Sequence, residues 1–248
     1  MAKKHHWYVW IFLIFILITC LIYSMHYLIF RDPEHLIDYF MIHLGFLPIH
    51  VLFIGLFLEK LIAYREEKLQ KKKEHMLISA FYSEAGNQLI RLFSGYVHDI
   101  DPIREKLKVT DHWTKQDFSM SKKLIGDHEL IFHLDPGEKL EELRAFLLSK
   151  KSFLFNLLQN PAMGYEYFSH LLLAVYHLTE EFSYRDDLSS SGQPDLNHLA
   201  VDMRRAYVYL AHQWFEQMEY LQNDYPYLFS LALRINPFDP EASVYIQK

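Results

Sequence analysis

The chain has 248 residues, a formal net charge of −6 with histidine counted as neutral, and one cysteine. The acidic balance argues against general nucleic-acid binding, and the lone Cys20 excludes an internal disulfide. Fifteen histidines and a 51% hydrophobic composition leave two questions for the rest of the chain: whether it enters a membrane, and whether it holds a metal.

Two long apolar stretches lie in the first 64 residues. Trp7 to Phe30 is 24 residues without a formal charge, and Tyr39 to Leu58 is another 20. At a helical rise of about 1.5 Å per residue, roughly 20 residues cross a hydrocarbon core of about 30 Å. The spacing predicts a transmembrane helical hairpin over 1–63, with spans at about 7–30 and 36–63. Lys3 and Lys4 precede the first span. The connection Arg31-Asp32-Pro33-Glu34-His35, followed by Asp38, is acidic, and Arg65, Lys68, Lys71, Lys72 and Lys73 follow the second span. Basic residues flanking spans stay on the cytoplasmic side. The expected location is therefore the cytoplasmic (inner) membrane, multi-pass, with both termini cytoplasmic. Trp7, Tyr8 and Trp10, then Tyr27 and Tyr39, then Tyr64 fall at the interfaces where aromatic belts form. Leu17-Ile18-Thr19-Cys20 faintly resembles a lipoprotein cleavage box. The apolar run continues ten residues beyond it, however, longer than a signal core.

Ionisable groups at membrane depth are costly and point to function by default. Here they are His26, His43 and His50, with Asp38 and Glu59 at the ends of the second span. His43 and His50 are seven apart and share one helix face. Pro48 between them removes a backbone donor and favours a kink. One reading is a ligand or proton site built from His26, His43 and His50; the other is neutral imidazoles hydrogen-bonded to a neighbouring helix. Two helices enclose no pore, so a channel requires an oligomer.

Residues 64–75 carry eight charges in twelve positions and read as a solvated juxtamembrane helix, with Glu67 and Lys71 spaced for an i, i+4 pair. From Met76 to the end, helical periodicity predicts a cytoplasmic bundle. Ile78, Phe81, Ala85, Leu89 and Leu92 form the first stripe. Asp135-Pro136-Gly137-Glu138 looks like a capped helix start, leading into Leu140, Leu143, Leu147, Leu154 and Leu158. Asn160-Pro161 ends that helix and starts the next, lined by Phe168, Leu171, Val175, Leu178 and Phe182. After a polar loop from Asp186 to Pro194 comes a long stripe of Leu196, Leu199, Met203, Tyr207, Leu210, Trp214 and Leu221, then a short helix from about Pro226 to Ile235. Asp99 to Asp135 is the least regular part, with Leu130 to Leu134 as a short strand candidate. The fold class is all-α: a membrane hairpin followed by a helical bundle.

In the bundle, Glu84 and Gln88 flank the Phe81 stripe and are the candidate buried polar residues. His170, His177, Glu181, His198 and Asp202 are the weak candidates for a metal, because Glu166/His170, His177/Glu180 and His198/Asp202 are spaced one helical turn apart. A di-iron bundle site needs inward carboxylates and two ordered Glu-x-x-His motifs, which the chain lacks. On a helical wheel, His170, His177, Glu180 and Glu181 fall opposite the Leu171/Val175/Leu178 stripe, and His198 and His212 opposite the Met203/Leu210/Trp214 stripe. That is the pattern of a solvated face. No phosphate-cradling glycine loop and no Gly-x-Ser-x-Gly is present. No catalytic residue and no cofactor is indicated.

Phe81-Tyr82-Ser83-Glu84-Ala85-Gly86, His177-Leu178-Thr179-Glu180-Glu181 and the tail from Tyr225-Pro226-Tyr227 to Asn236-Pro237-Phe238-Asp239 resemble a group of uncharacterised prokaryotic two-span membrane proteins. The resemblance runs over most of the chain, and its motifs are not catalytic signatures. It implies class and location, with no activity attached. The leading expectation is a two-pass membrane protein whose cytoplasmic helical domain is an interaction or signalling module. Its partners are then the lipid bilayer, a second copy of itself and a cytoplasmic protein. An oligomeric channel lined by the span-two histidines and a membrane-anchored metal enzyme are the alternatives.

Overall fold

The computed structural model describes the backbone of residues 2–98, 100–164 and 166–245, and their side chains apart from those of residues 2–6 and 166. Lys3, Lys4 and Glu166 therefore have side chains outside the described residues, and Asp99 is outside them altogether. The chain divides into two compact units, residues 1–66 and 67–248.

The first unit contains α1 (Ala2–Phe30) and the start of α2 (Pro33–Phe81), two helices long and apolar enough to cross a membrane. Arg31 adopts a left-handed backbone (φ 51°), which turns the chain between them. Asp32 accepts hydrogen bonds from the backbone of Glu34 and His35, both 3.1 Å, and so caps α2 with Pro33 in its first turn. From Trp7 to Ile62 the apolar side chains stand exposed on all sides, with only Ile11, Tyr23 and Leu36 half-buried. α2 runs through Pro48 without interruption.

The second unit is an all-α bundle with its own core. α2 passes into a π-helical turn, Tyr82–Gly86, and then α3 (Asn87–Ser94). The extra residue of that turn rotates the helix beyond it. Burial proceeds through Ile78, Phe81, Tyr82, Ala85, Leu89, Ile90 and Phe93, and Leu92 is only half-buried. β1 (Val97–His98) pairs antiparallel with β2 (Ile131–Phe132), Val97 opposite Phe132, the one ladder among the described residues. The predicted strand is thus present, two residues long, inside the Leu130–Leu134 window. Between the strands, α4 (Asp101–Arg104) continues into a 3-10 turn, and α5 (Lys115–Asp127) follows. α5 opens on a capping box: Asp117 Oδ2 accepts from the Thr114 backbone at 2.7 Å while Thr114 Oγ1 accepts from the Asp117 backbone at 3.4 Å.

α6 (Glu138–Leu158), α7 (Glu166–Ser183), α8 (Gln193–Asp224) and α9 (Pro226–Arg234) complete the unit. Two expected helix starts are displaced. α6 begins on Gly137, whose extended backbone separates Asp135 from the first helical amides; Gly137 makes no side-chain cap, and Asp135 is exposed. Asn160 accepts from the Ala162 backbone at 2.9 Å and holds a turn instead of starting α7, which begins at Glu166. α8 is the central helix. It packs on α3, α5, α7, α9 and β2, and its buried arc exceeds one face, from Leu196 through Tyr207 and Phe215 to Leu221. All five predicted α7 positions and all seven on α8 are buried. Phe81 meets Phe168 edge-on at 5.8 Å, and Phe132 meets Tyr207 at 5.7 Å, so α7 and the β-ladder are tied to the core by aromatic contacts. In the tail, Asn236 caps a turn by accepting from the Phe238 backbone at 2.9 Å, and Phe238 stacks on Phe215 at 5.4 Å.

Candidate functional site

The three candidate histidines of the expected spans, His26, His43 and His50, do not converge. His26 lies against Phe30, His35 and Tyr39, at 4.6, 6.3 and 6.4 Å between ring centres. His43 also reaches Tyr39, at 5.8 Å. His50 is about 10 Å further along the axis, two turns on. Its Nδ1 lies 2.9 Å from the Phe46 carbonyl, so that nitrogen is satisfied inside its own helix. Tyr39 thus joins two of the three, and the third stands apart.

Glu84 and Gln88 are exposed, contrary to the buried placement their spacing suggests. The π-helical turn moves Tyr82 and Gly86 inward and swings these two out. Glu84 pairs with Lys150 Nζ at 2.6 Å. Glu74, Gln213 and Gln217 are buried at this end; Gln217 donates to Ser79 Oγ at 2.7 Å, and the Nδ1 of half-buried His75 lies 3.0 Å from Gln217 Oε1. The His75 ring stacks on Tyr220 at 3.6 Å. Burial pushes the His75 imidazole below its usual range, against the opposing pull of Gln217, Glu216 and Asp224. His75, Ser79 and Tyr82 recur at helical spacing beside the Ile78 stripe, a signal that single-face pattern reading passes over.

Four of the five weak metal candidates come together at the α7/α8 seam. His177 and Glu181 are one turn apart on α7, and His198 and Asp202 are one turn apart on α8. The tight α7/α8 packing sets the two pairs face to face. His177 Nε2 is 3.4 Å from Asp202 Oδ2 and 3.8 Å from Glu181 Oε1. His198 Nε2 is 3.5 Å from the same Asp202 oxygen and 3.9 Å from the same Glu181 oxygen. Nitrogens and oxygens alternate around a four-membered ring. The imidazoles are half-exposed, at 50% and 54%, whereas the Asp202 side chain is 5% exposed and its Oδ2 has no hydrogen-bond partner. The wheel reading of a solvated face holds for His170, His177 and His198, which are exposed; Asp202, at the same seam, is buried. The fifth candidate, His170, is exposed and lies near Tyr209, with ring centres 6.1 Å apart. Among the described residues, no group of three or more His, Cys, Asp or Glu side chains is placed to hold a metal ion.

Arginines hold the far side of each carboxylate. Arg185 Nη1 donates to Glu181 Oε2 at 2.7 Å, and Arg205 Nη1 donates to Asp202 Oδ1 at 3.1 Å. Arg185 also grips Asp195 in the first turn of α8 with two bonds, Nε to Oδ2 at 3.0 Å and Nη2 to Oδ1 at 2.7 Å. It thereby clamps the end of α7 to the start of α8. The hydrogen bond from Arg185 is the main reason the Glu181 and Asp195 carboxyls titrate below the ordinary carboxylate range, and burial opposes it in both. The two carboxylates in turn raise the already high pKa of Arg185.

Two family models match the chain: the N-terminal helical domain of the uncharacterized protein MJ1433 over residues 3–62, and the C-terminal helical domain over 70–234. The gap between them spans the division at Glu66 and Glu67. The chain is similar to the protein described as "Uncharacterized protein MJ1433" from Methanocaldococcus jannaschii, with 37% identity over 230 residues and 92% of each chain covered. No solved structure matches it. The chain therefore belongs to the MJ1433 family, whose two helical domains it carries in order.

Proposed function

We propose that this is a two-pass membrane protein of the cytoplasmic membrane. Its N-terminal hairpin lies in the bilayer, both termini are cytoplasmic, and its helical domain is an interaction or signalling module in a homo-oligomer. One observation carries the reading: an apolar surface exposed from Trp7 to Ile62 is joined to a unit whose own core is complete. Water gives such a surface no favourable partner, while hydrocarbon does. Its helices also satisfy their backbone internally, as a bilayer demands. Orientation follows from charge. Arg65, Lys68, Lys72 and Lys73 are exposed just beyond the apolar stretch, and Arg31 at the turn is outnumbered by Asp32, Glu34 and Asp38. Oligomerisation is supported by His43, an exposed polar side chain within the apolar stretch, which a second copy would match.

Fractionation tests the anchoring. The full chain should remain in the membrane pellet after alkaline carbonate, while residues 67–248 alone should appear in the soluble fraction as a folded helical protein. Full chain released by carbonate, or an insoluble 67–248 fragment, counts against the reading.

A further inference from the structure

We infer that the cleft between the π-helical turn, α8 and α9 binds an uncharged, mainly aliphatic small molecule with one hydrogen-bond acceptor, in the class of fatty alcohols and fatty esters. The inference is independent of the membrane reading, because every residue that lines the cleft lies in the unit 67–248.

Three helical elements build the cleft. The π-helical turn and its flanks contribute Ser79, Tyr82, Ser83 and Asn87. Turns of this kind recur at functional sites. α8 contributes buried Trp214, Met218 and Leu221. α9 starts on Pro226 directly after α8 and buries Phe229. Leu228, Leu231 and Ile235, spaced at i, i+3 and i+7, share one of its faces and line the cleft. The volume is about 370 Å³, at the lower end of the range of about 300–1,000 Å³ for small-molecule sites.

Three observations select the ligand. First, no charged side chain lines this cleft among the described residues. A bare phosphate, carboxylate or ammonium group would enter it without a counter-charge, which is costly. Two other clefts differ: one is lined by Arg91, Arg104 and Asp239, the other by Glu216, Glu219 and Asp224. Second, most polar groups of the cleft are already engaged. Gln217 donates to Ser79, the Tyr82 hydroxyl donates to the Leu210 carbonyl at 2.7 Å, and Trp214 Nε1 donates to Asn87 Oδ1 at 3.1 Å. The last bond fixes the Asn87 amide by its oxygen. Its nitrogen has no hydrogen-bond partner among the described residues, so two N–H donors remain for a ligand oxygen. Third, Leu228 and Leu231 stand 38% and 39% exposed beside buried Met218 and Leu221. An aliphatic chain laid between them removes that surface from water, and the flexible Met218 side chain adapts to its shape.

The test uses the full-length protein in lipid nanodiscs and a fatty alcohol with a diazirine on its chain. After photolysis, labelled peptides are mapped by mass spectrometry. Saturable labelling is expected on peptides covering residues 79–87, 214–221 and 228–235. Excess plain alcohol or the matching methyl ester should displace it, and the carboxylate or alkylammonium ion of the same chain length should not. Leu231→Asp places a charge at a partly exposed position of the cleft and should reduce saturable labelling about fivefold or more. Asn87→Asp keeps an acceptor for Trp214, removes the amide donors and should have a similar effect. Leu173→Asp, at an exposed position of α7, should leave labelling unchanged. Helix content by circular dichroism and particle mass by light scattering are recorded for each variant. Three results would overturn the proposal: equal labelling of wild type and folded Leu231→Asp, displacement by the carboxylate or alkylammonium ion as effective as by the alcohol, or no saturable labelling of the three peptides. In the last case, a particle mass altered by Leu231→Asp would give the cleft to a second copy of the chain.

Discussion

Removing the Arg185 clamp should produce a destabilisation that depends on pH in a defined direction. Arg185→Met keeps the apolar stem but deletes the guanidinium. Four contacts disappear: the two bonds to Asp195 at 2.7 and 3.0 Å, the bond to Glu181 Oε2 at 2.7 Å, and the bond to the Glu181 carbonyl at 2.6 Å. Exposed ion pairs contribute about 0–1 kcal/mol, and charge-assisted, bidentate bonds away from water contribute about 1.5–3 kcal/mol. Arg185 is 19% exposed and Glu181 25%, but Asp195 is 38% exposed, so its share is reduced by solvent screening. The expected net cost is about 2 kcal/mol at pH 7. Both carboxyls have folded-state pKa values below their unfolded ones because of Arg185. Their stabilisation is therefore complete above the unfolded value of about 4 and is lost as pH falls through the folded values. Urea unfolding of residues 67–248, followed by circular dichroism at pH 7, 5 and 3.5, reads this directly. The gap between wild type and Arg185→Met should be constant from pH 7 to 5 and shrink at pH 3.5. A gap that is absent at pH 7, or equally large at pH 3.5, would refute the electrostatic account of the clamp.

Gly86→Ala should destabilise the same fragment by about 1–3 kcal/mol, as overpacking does, although alanine is the better helix former. A Cβ there would sit 2.5 Å from Tyr82 Cδ1 and 2.8 Å from Phe81 Cε1, and the Tyr82 hydroxyl is anchored on the Leu210 carbonyl at 2.7 Å; a raised urea midpoint would contradict this packing. Thr114→Ala should cost about 1 kcal/mol through loss of the α5 capping box. Asp135→Ala should stay within about 0.5 kcal/mol because Asp135 is exposed and caps nothing; the reverse order of the two urea midpoints would overturn the assignment of helix starts.

The parts of the fold that were legible in the sequence are those where one helix face alone decides burial. The α7 stripe from Phe168 to Phe182 and the α8 stripe from Leu196 to Leu221 are buried as their spacing requires. α9 ends one residue before its expected boundary, at Arg234. α5 escaped notice because its thirteen residues bury only Phe118, Ser121 and Ile125, too few to make a stripe, and only Thr114 and Asp117 announce it. The register shift at Tyr82–Gly86 was invisible because a π-helical turn changes the period locally, and Glu84 and Gln88 were misplaced by that one residue. His177, Glu181, His198 and Asp202 were recognisable separately as candidates, with His177 paired to Glu180 and His198 to Asp202 by helical spacing. Their meeting was not, because a helical wheel contains no information about what the neighbouring helix presents, and α7 packs on α8 where Asp202 is buried.

The central claim is a membrane hairpin with both ends on the cytoplasmic side, and cysteine accessibility in intact cells tests it most directly. Cys20 is the only native cysteine, so Cys20→Ser provides a silent background. In that background, Glu34→Cys at the turn and a cysteine appended after Lys248 are treated with a membrane-impermeant maleimide. The account predicts labelling of Glu34→Cys in intact cells and labelling of the C-terminal cysteine only after lysis. Labelling of the C-terminal cysteine in intact cells, or protection of Glu34→Cys until lysis, would contradict it.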